Sequence, residues 1–182
     1  ATPAERGIAI HTFMEYADYA RAKRNVEDEI ARLADGGFMT RAQADLIDRA
    51  KLRAFFESAL YKRIEASSRV FREQRFITSV PLSQLEPDVT GPAGEEPVVI
   101  QGSADCVFVE DGALVIVDYK TDRTSSEEKL AAHYAPQLRL YSAAVSKNLA
   151  MPVRELLLYS FTLKTTVPVP LPGEGEPLIR RA

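Results

Sequence analysis

The chain has 182 residues, 46% of them apolar, enough to bury one full core. Its 23 Lys and Arg against 26 Asp and Glu give a net charge of −3, so no global positive field exists to draw in a polyanion, and any nucleic-acid contact must come from local patches, a bound metal or a partner. A single cysteine, Cys106, excludes an internal disulfide framework and a four-cysteine zinc or iron–sulfur site built from this chain alone; with no apolar run of about 20 residues and no signal-peptide pattern, a cytoplasmic protein without membrane association is expected.

From Glu5 to Leu33 polar and apolar residues alternate at helical spacing behind Thr2 and Pro3, a cap and first-turn proline, which predicts one or two helices ended by Gly36-Gly37. Thr40 reads as the N-cap of a second long helix reaching about Glu65, with an apolar stripe of Leu46, Ile47, Ala50, Ala54, Leu60 and Ile64. Basic runs at Arg21, Lys23 and Arg24, at Arg49, Lys51 and Arg53, and at Arg69, Arg72 and Arg75 read first as solvated faces. After Ser67-Ser68 the period changes to two, and Val70 to Val80 is expected to be a strand. Residues 81–97, rich in proline, are expected to form a disordered or variable surface loop.

Val98 to Val109 and Ala113 to Lys120 read as two strands joined through Glu110-Asp111-Gly112, a hairpin signal. A helix is expected from Ser126 to Leu149, with a fresh start at Pro136, then a strand from Val153 to Leu163 and an extended tail from Pro168 to Pro177. The whole is expected to be one domain, 1–182, with a mainly helical part (1–66), a catalytic sheet and helix core (67–165) and an extended tail (166–182).

The hairpin carries the chemistry. A two-residue loop at Asp111-Gly112 makes facing residue numbers sum to 223, which sets Asp105 opposite Asp118; a three-residue loop would put them on opposite faces. Carboxylates facing each other across a ladder repel and need compensation, and a divalent cation with a preference for oxygen supplies it. Lys120 is two residues past Asp118 and so on the same face, while Tyr119 points to the other. A bare Asp-x-Lys is most often a solvated strand end. Here it follows the apolar run Leu114-Val115-Ile116-Val117, where unpaired charge is costly.

The runs Gln101 to Phe108, Leu114 to Asp122 and Gln137-Leu138-x-Leu140-Tyr141, with Gly7-x-x-x-His11 upstream, resemble the RecB-type nucleases of the PD-(D/E)xK superfamily, and among them the AddA-type nuclease domains of AddAB helicase-nucleases. That resemblance implies a restriction-endonuclease-like α/β fold: a mixed sheet of about five strands flanked by helices, with an N-terminal helical extension. It implies catalytic Asp105, Asp118, Lys120 and, by a weaker match, Glu73; metal ligands His11, Asp105, Asp118 and the backbone carbonyl at Tyr119; and substrate contacts from Gln137 and Tyr141. No motif covers His133. The implied cofactor is Mg²⁺, with Mn²⁺ as a substitute and no iron–sulfur cluster. ATP enters only through a motor domain outside this chain, which holds no phosphate-loop motif. The implied partners are DNA, an attached helicase motor and an AddB-like subunit, and the implied role is cutting the 3′-ended strand in double-strand break repair and recombination. The alternatives are a stand-alone exonuclease of the same superfamily, or a degenerate nuclease fold that only binds DNA or docks a subunit.

Overall fold

A computed structural model describes residues 2–124, 126–173, 176 and 178. The chain forms two compact units. The first comprises Ala1–Ser67, Tyr119–Ser125 and Tyr159–Thr166; the second comprises Ser68–Asp118, Ser126–Leu158 and Val167–Ala182. No helix among the described residues is long and apolar enough to cross a membrane.

The first unit is built on six short helices where two or three long ones were expected. They are α1 (Pro3–Tyr16), α2 (Tyr19–Arg24), α3 (Val26–Asp35), α4 (Arg41–Leu46), α5 (Arg49–Glu57) and α6 (Ala59–Ala66). Thr2 and Thr40 cap as expected, each in a capping box closed by Glu5 and Gln43. The extra breaks come from further caps inside the periodic runs. Asp18, Asn25, Asp48 and Ser58 each take an extended backbone and accept a backbone N–H with the side chain, which offers those donors an alternative to a continuous helix. Each break resets the helical phase. Ala50 is therefore exposed, and Leu52, Phe55, Phe56 and Tyr61 are buried in place of the continuous stripe expected through Leu46 and Ala54.

Phe55 is the hub of this unit's core. Its ring meets Tyr159 at 4.9 Å, Phe56 at 5.1 Å, Tyr119 at 5.5 Å and Phe161 at 5.9 Å between centroids, several of them edge-on, as the ring quadrupoles favour. The Tyr159 hydroxyl is buried here with no hydrogen-bond partner among the described residues, and burial pushes its pKa up to about 12.

One carboxylate is also fully buried in this unit. Glu29 accepts from the Asp18 backbone N–H at 2.7 Å and from Arg32 at 2.6 and 2.8 Å, with Arg21 at 3.3 Å. Burial pushes its pKa up, but the Arg32 hydrogen bonds, the Asp18 N–H and the two guanidinium charges together hold it below the ordinary 4.5. A depressed carboxylate contributes stability above its unfolded pKa and loses it as pH falls through the folded value. Glu29→Gln is therefore expected to cost about 2 kcal/mol at pH 7. The gap to wild type should close as pH drops below 4.5. Thermal melts of both proteins across that range check this, and a gap independent of pH would contradict it.

The second unit holds most of a five-stranded sheet in the order β1-β2-β3-β4-β5. The strands are β1 (Val70–Pro81), β2 (Pro97–Glu110), β3 (Ala113–Lys120), β4 (Val153–Ser160) and β5 (Thr165–Val169). β1, β2 and β3 pair antiparallel. The start of β3 bonds to the start of β4 (Leu114 N to Pro152 O, 2.8 Å) and its end to the end of β4 (Phe161 N to Lys120 O, 2.9 Å), so β4 runs parallel to β3 and the sheet is mixed. The strand expected to Leu163 ends at Ser160, where a turn over 161–164 leads into β5. β5 takes up the first part of the expected tail; Pro168 is tolerated because β5 is an edge strand. Residues 174, 175, 177 and 179–182 of that tail lie outside the described residues.

A single helix, α7 (Glu127–Leu149), crosses from β3 to β4, capped by Ser126 and continuous through Pro136. Pro136 withholds one hydrogen bond from the carbonyl four residues back. The helix persists because Leu130, Leu138, Ala144 and Val145 on both sides of the proline are buried against the sheet. Residues 81–97 are structured as well, with two 3-10 turns closed by Leu82 N to Glu96 O at 2.9 Å.

Candidate active site

The β2–β3 turn is the two-residue loop that the Asp111-Gly112 pair predicts, with φ of 49° and 77°, the left-handed pair of a type I′ turn. The partner pairs run from Glu110↔Ala113 to Cys106↔Val117 on the sum 223, so the next position sets Asp105 opposite Asp118. Side chains so opposed have Cβ atoms roughly 4.5–5.5 Å apart. β3 is buried on both faces, and Asp118 with it, at 4% exposure. Leu114 and Ile116, in phase with Asp118, and Val107, in phase with Asp105, belong to the core beneath α7. Asp118 thus projects toward α7.

Glu73 comes to the same place through a backbone irregularity. The β1–β2 pairs Arg72↔Cys106 and Gln74↔Ala104 flank it, which puts Glu73 opposite Asp105. Its φ is 47°, a left-handed conformation costly for a residue with a Cβ. The kink re-phases the strand: Phe71 and Phe76, five residues apart, both pack into the core beneath α7, which strict alternation forbids. Ser103 Oγ donates to Glu73 Oε2 at 2.7 Å. Nothing in the sequence marks the left-handed residue or this hydrogen bond.

Tyr141 of α7 reports on the gathered charge. Its pKa is raised first by burial, then by the negative charge of Asp118, with Asp105 and Glu73 adding to it; Gln137, donating Nε2 to the Tyr141 hydroxyl at 2.8 Å, opposes the rise. The structure therefore brings together Asp105, Asp118, Glu73, Gln137 and Tyr141.

Lys120 stands two residues beyond Asp118 on β3, on the same side of the strand, and is half-buried. Between them the Tyr119 side chain turns the other way into the first unit's aromatic core, its hydroxyl 3.1 Å from that of Tyr19. His11 is half-buried on α1 of the first unit. One turn earlier, Gly7 lies so near Thr121 that a Cβ would come within 2.7 Å of its Oγ1, so α1 sits directly against the residue following Lys120. His133 is exposed and packs edge-on against its neighbour Tyr134 at 4.6 Å.

The donor set suits a hard divalent cation. Among the described residues no group of three or more His, Cys, Asp or Glu side chains is already set to hold an ion. Mg²⁺ does not need one, since two carboxylates suffice while water and substrate oxygens complete its shell. Asp105 and Asp118 supply those oxygens. Among the described residues the buried Asp118 Oδ2 accepts no hydrogen bond, while the residue does interact with its surroundings.

Several known proteins are similar to this chain over most of its length. An ATP-dependent helicase/nuclease subunit of Anoxybacillus flavithermus (strain DSM 21510 / WK1) is 35% identical over 174 residues, covering 92% of this chain and 14% of its own length. The protein of the same name from Clostridium botulinum (strain 657 / Type Ba4) is 31% identical over 171 residues, covering 92% and 13%. That of Geobacillus thermodenitrificans (strain NG80-2) is 33% identical over 171 residues, covering 88% and 14%. The chain spans about a seventh of the length of these relatives. A solved structure titled "Crystal structure of SSO0001" aligns with 88% of this chain and 66% of its own at 14% identity and a TM-score of 0.40, a likeness too loose to argue from. The family model described as the PD-(D/E)XK nuclease superfamily matches residues 1–176, nearly the whole sequence, and the chain belongs to that superfamily.

Proposed function

We propose that this chain is a Mg²⁺-dependent deoxyribonuclease unit, an exonuclease with Mn²⁺ able to substitute. The observation that carries the reading is the 223 register of β2 with β3: continued one pair past Cys106↔Val117, it supports two aspartates face to face with a lysine next in phase. The far longer relatives, named as ATP-dependent helicase/nuclease subunits, support a unit attached to an ATP-driven motor over a stand-alone exonuclease. From the resemblance, the parent protein works in the cytoplasm with an AddB-like partner, cutting the 3′-ended strand during double-strand break repair and recombination.

In this reading Asp105 and Asp118 hold the cation, with the Tyr119 backbone carbonyl as a third oxygen and Glu73 completing the acidic cluster. His11 joins them on the strength of the resemblance alone. The chemistry a bound divalent cation supplies is Lewis acidity, which makes water more acidic and draws charge from the scissile phosphate. Lys120, tied to Asp118 by the strand, orients the attacking water and offsets the charge that develops on the phosphate. Tyr141, held by Gln137, offers its hydroxyl to the substrate backbone.

The test is cleavage of single-stranded DNA by the wild type with Mg²⁺ and with EDTA, beside Lys120→Ala. Cleavage is expected only with the metal, and the variant is expected to lose on the order of 10²–10³-fold in kcat with little change in KM. Equal rates in EDTA, or an unimpaired variant, would contradict the proposal.

A further inference from the structure

Past Glu73 the β1–β2 ladder continues as a two-stranded arm. Its partner pairs run on to Pro81↔Pro97, whereas those of β2 with β3 are confined to Cys106–Glu110. One side of the arm alternates Arg75, Ile77 and Ser79 on β1 with Ser103, Gln101 and Val99 directly opposite. Ile77 is 63% and Val99 66% exposed, two large apolar side chains left in water beside each other.

Where the arm meets the last turns of α7 there is an open groove of about 580 Å³, lined by Arg75, Ile77, Gln101, Ser103 and Asn148 among others. Asn148 fastens that junction, its Nδ2 donating to Ile77 O at 3.3 Å and Ala144 O at 2.9 Å. The groove is continuous with the acidic cluster in two ways. Ser103, on its wall, donates to Glu73, and Phe76, at its floor, meets Tyr141 edge-on at 5.1 Å.

The chemistry of the lining selects an occupant. Arg75 is exposed and forms no ion pair among the described residues, so its guanidinium is available to an anion. Gln101 offers a carboxamide that matches base edges, and Ile77 offers an apolar surface for the face of a base. Arg75 follows Glu73 by two residues along β1, its Cα at most about 7 Å from that of Glu73, so a polyanion running from the carboxylates along the arm meets a cation there. A protein partner would account for the exposed Ile77 and Val99, but not for an unanswered cation beside the acids.

We propose that this groove seats the nucleotide next to the scissile phosphate on a single strand, with Arg75 holding the neighbouring phosphate and Ile77 beneath the base. The proposal rests on the nuclease reading, and its test is kept independent of cleavage. Binding of a labelled single-stranded deoxyoligonucleotide is followed by fluorescence anisotropy in EDTA over a range of salt concentrations. Arg75→Ala is expected to weaken binding about tenfold whatever the base sequence and to reduce the magnitude of the log–log salt slope by about 0.7, the signature of one lost phosphate contact to a single strand. Ile77→Asp is expected to weaken it also. Arg41→Ala, which removes an exposed arginine paired with Asp35 in the first unit, is the control and should change neither quantity. Unaltered affinity and slope in Arg75→Ala would overturn the groove assignment even if the wild type cuts DNA, and would make the arm a protein-docking surface. The expected losses in a wild type that cuts nothing would uphold the groove and remove the nuclease reading.

Discussion

Asp118→Asn is expected to lower DNA cleavage by on the order of a thousand-fold while raising the melting temperature of the metal-free protein. The first effect follows from the loss of a buried charged oxygen at the centre of the acidic cluster, comparable to losing one interaction aimed at the transition state. The second follows from the same register. The β2–β3 register carried one pair past Cys106↔Val117 sets Asp105 opposite Asp118, and the pairs flanking Glu73 set it opposite Asp105, so in the absence of a cation three carboxylates gather at one end of the sheet. Asparagine keeps the shape of Asp118 and removes one of those charges. The two readouts separate a catalytic role from a structural one, because a residue that merely held the fold would lose stability and activity together. Cleavage assays and thermal melts in EDTA check it; a lower melting temperature with retained cleavage would contradict it.

Phe55→Ala is expected to have the largest effect on stability. The ring is fully buried and contacts Tyr19, Phe56, Tyr61, Tyr119, Tyr159 and Phe161. Removing a buried phenyl ring costs about 3–5 kcal/mol, a third or more of the stability of a typical domain. At this chain length that corresponds to a fall in Tm of roughly 10 °C. Activity should fall as well, below the melting transition, because Tyr119 lies between Asp118 and Lys120 and its ring is one of those released. A Tm within about 3 °C of wild type, the shift expected for only about 1 kcal/mol, would show that the neighbours close the cavity and that the ring is not the hub of this core.

The parts of the fold that were legible in the sequence are those set by strictly local chemistry. Asp111-Gly112 specifies a turn whose two left-handed residues only certain side chains tolerate, and the turn then dictates the register of every pair from Glu110↔Ala113 outward. Thr2, Thr40 and Ser126 announced helix starts for the same reason. The helix breaks were hidden because Asp18, Asp48 and Ser58 fall where an amphipathic helix also carries polar residues; only their neighbours decide whether the side chain faces water or folds back onto the backbone. Pro136 misled in the opposite direction, since burial on both sides of it outweighs the lost hydrogen bond.

For the site, Asp105, Asp118 and Lys120 could be placed because β-sheet alternation and a known turn fix relative position two residues at a time. Tyr141 and Gln137 could be paired because they lie one helical turn apart. Glu73 was a weak candidate for a physical reason: its place in the cluster depends on a left-handed backbone that no local pattern of Arg72-Glu73-Gln74 requires, stabilised by Ser103 thirty residues away. Arg75 read as one more arginine on a solvated face, and only the groove at the base of the β1–β2 arm distinguishes it from Arg69 and Arg72.

The claim that Asp105 and Asp118 form one cation site is tested most directly by crystals grown or soaked with Mn²⁺ and measured for anomalous scattering. The expected result is a peak between the two carboxylates, about 2.0–2.3 Å from an oxygen of each, that disappears in Asp118→Asn. Saturating Mn²⁺ with no peak between them, in a protein that still cleaves DNA, would contradict the account.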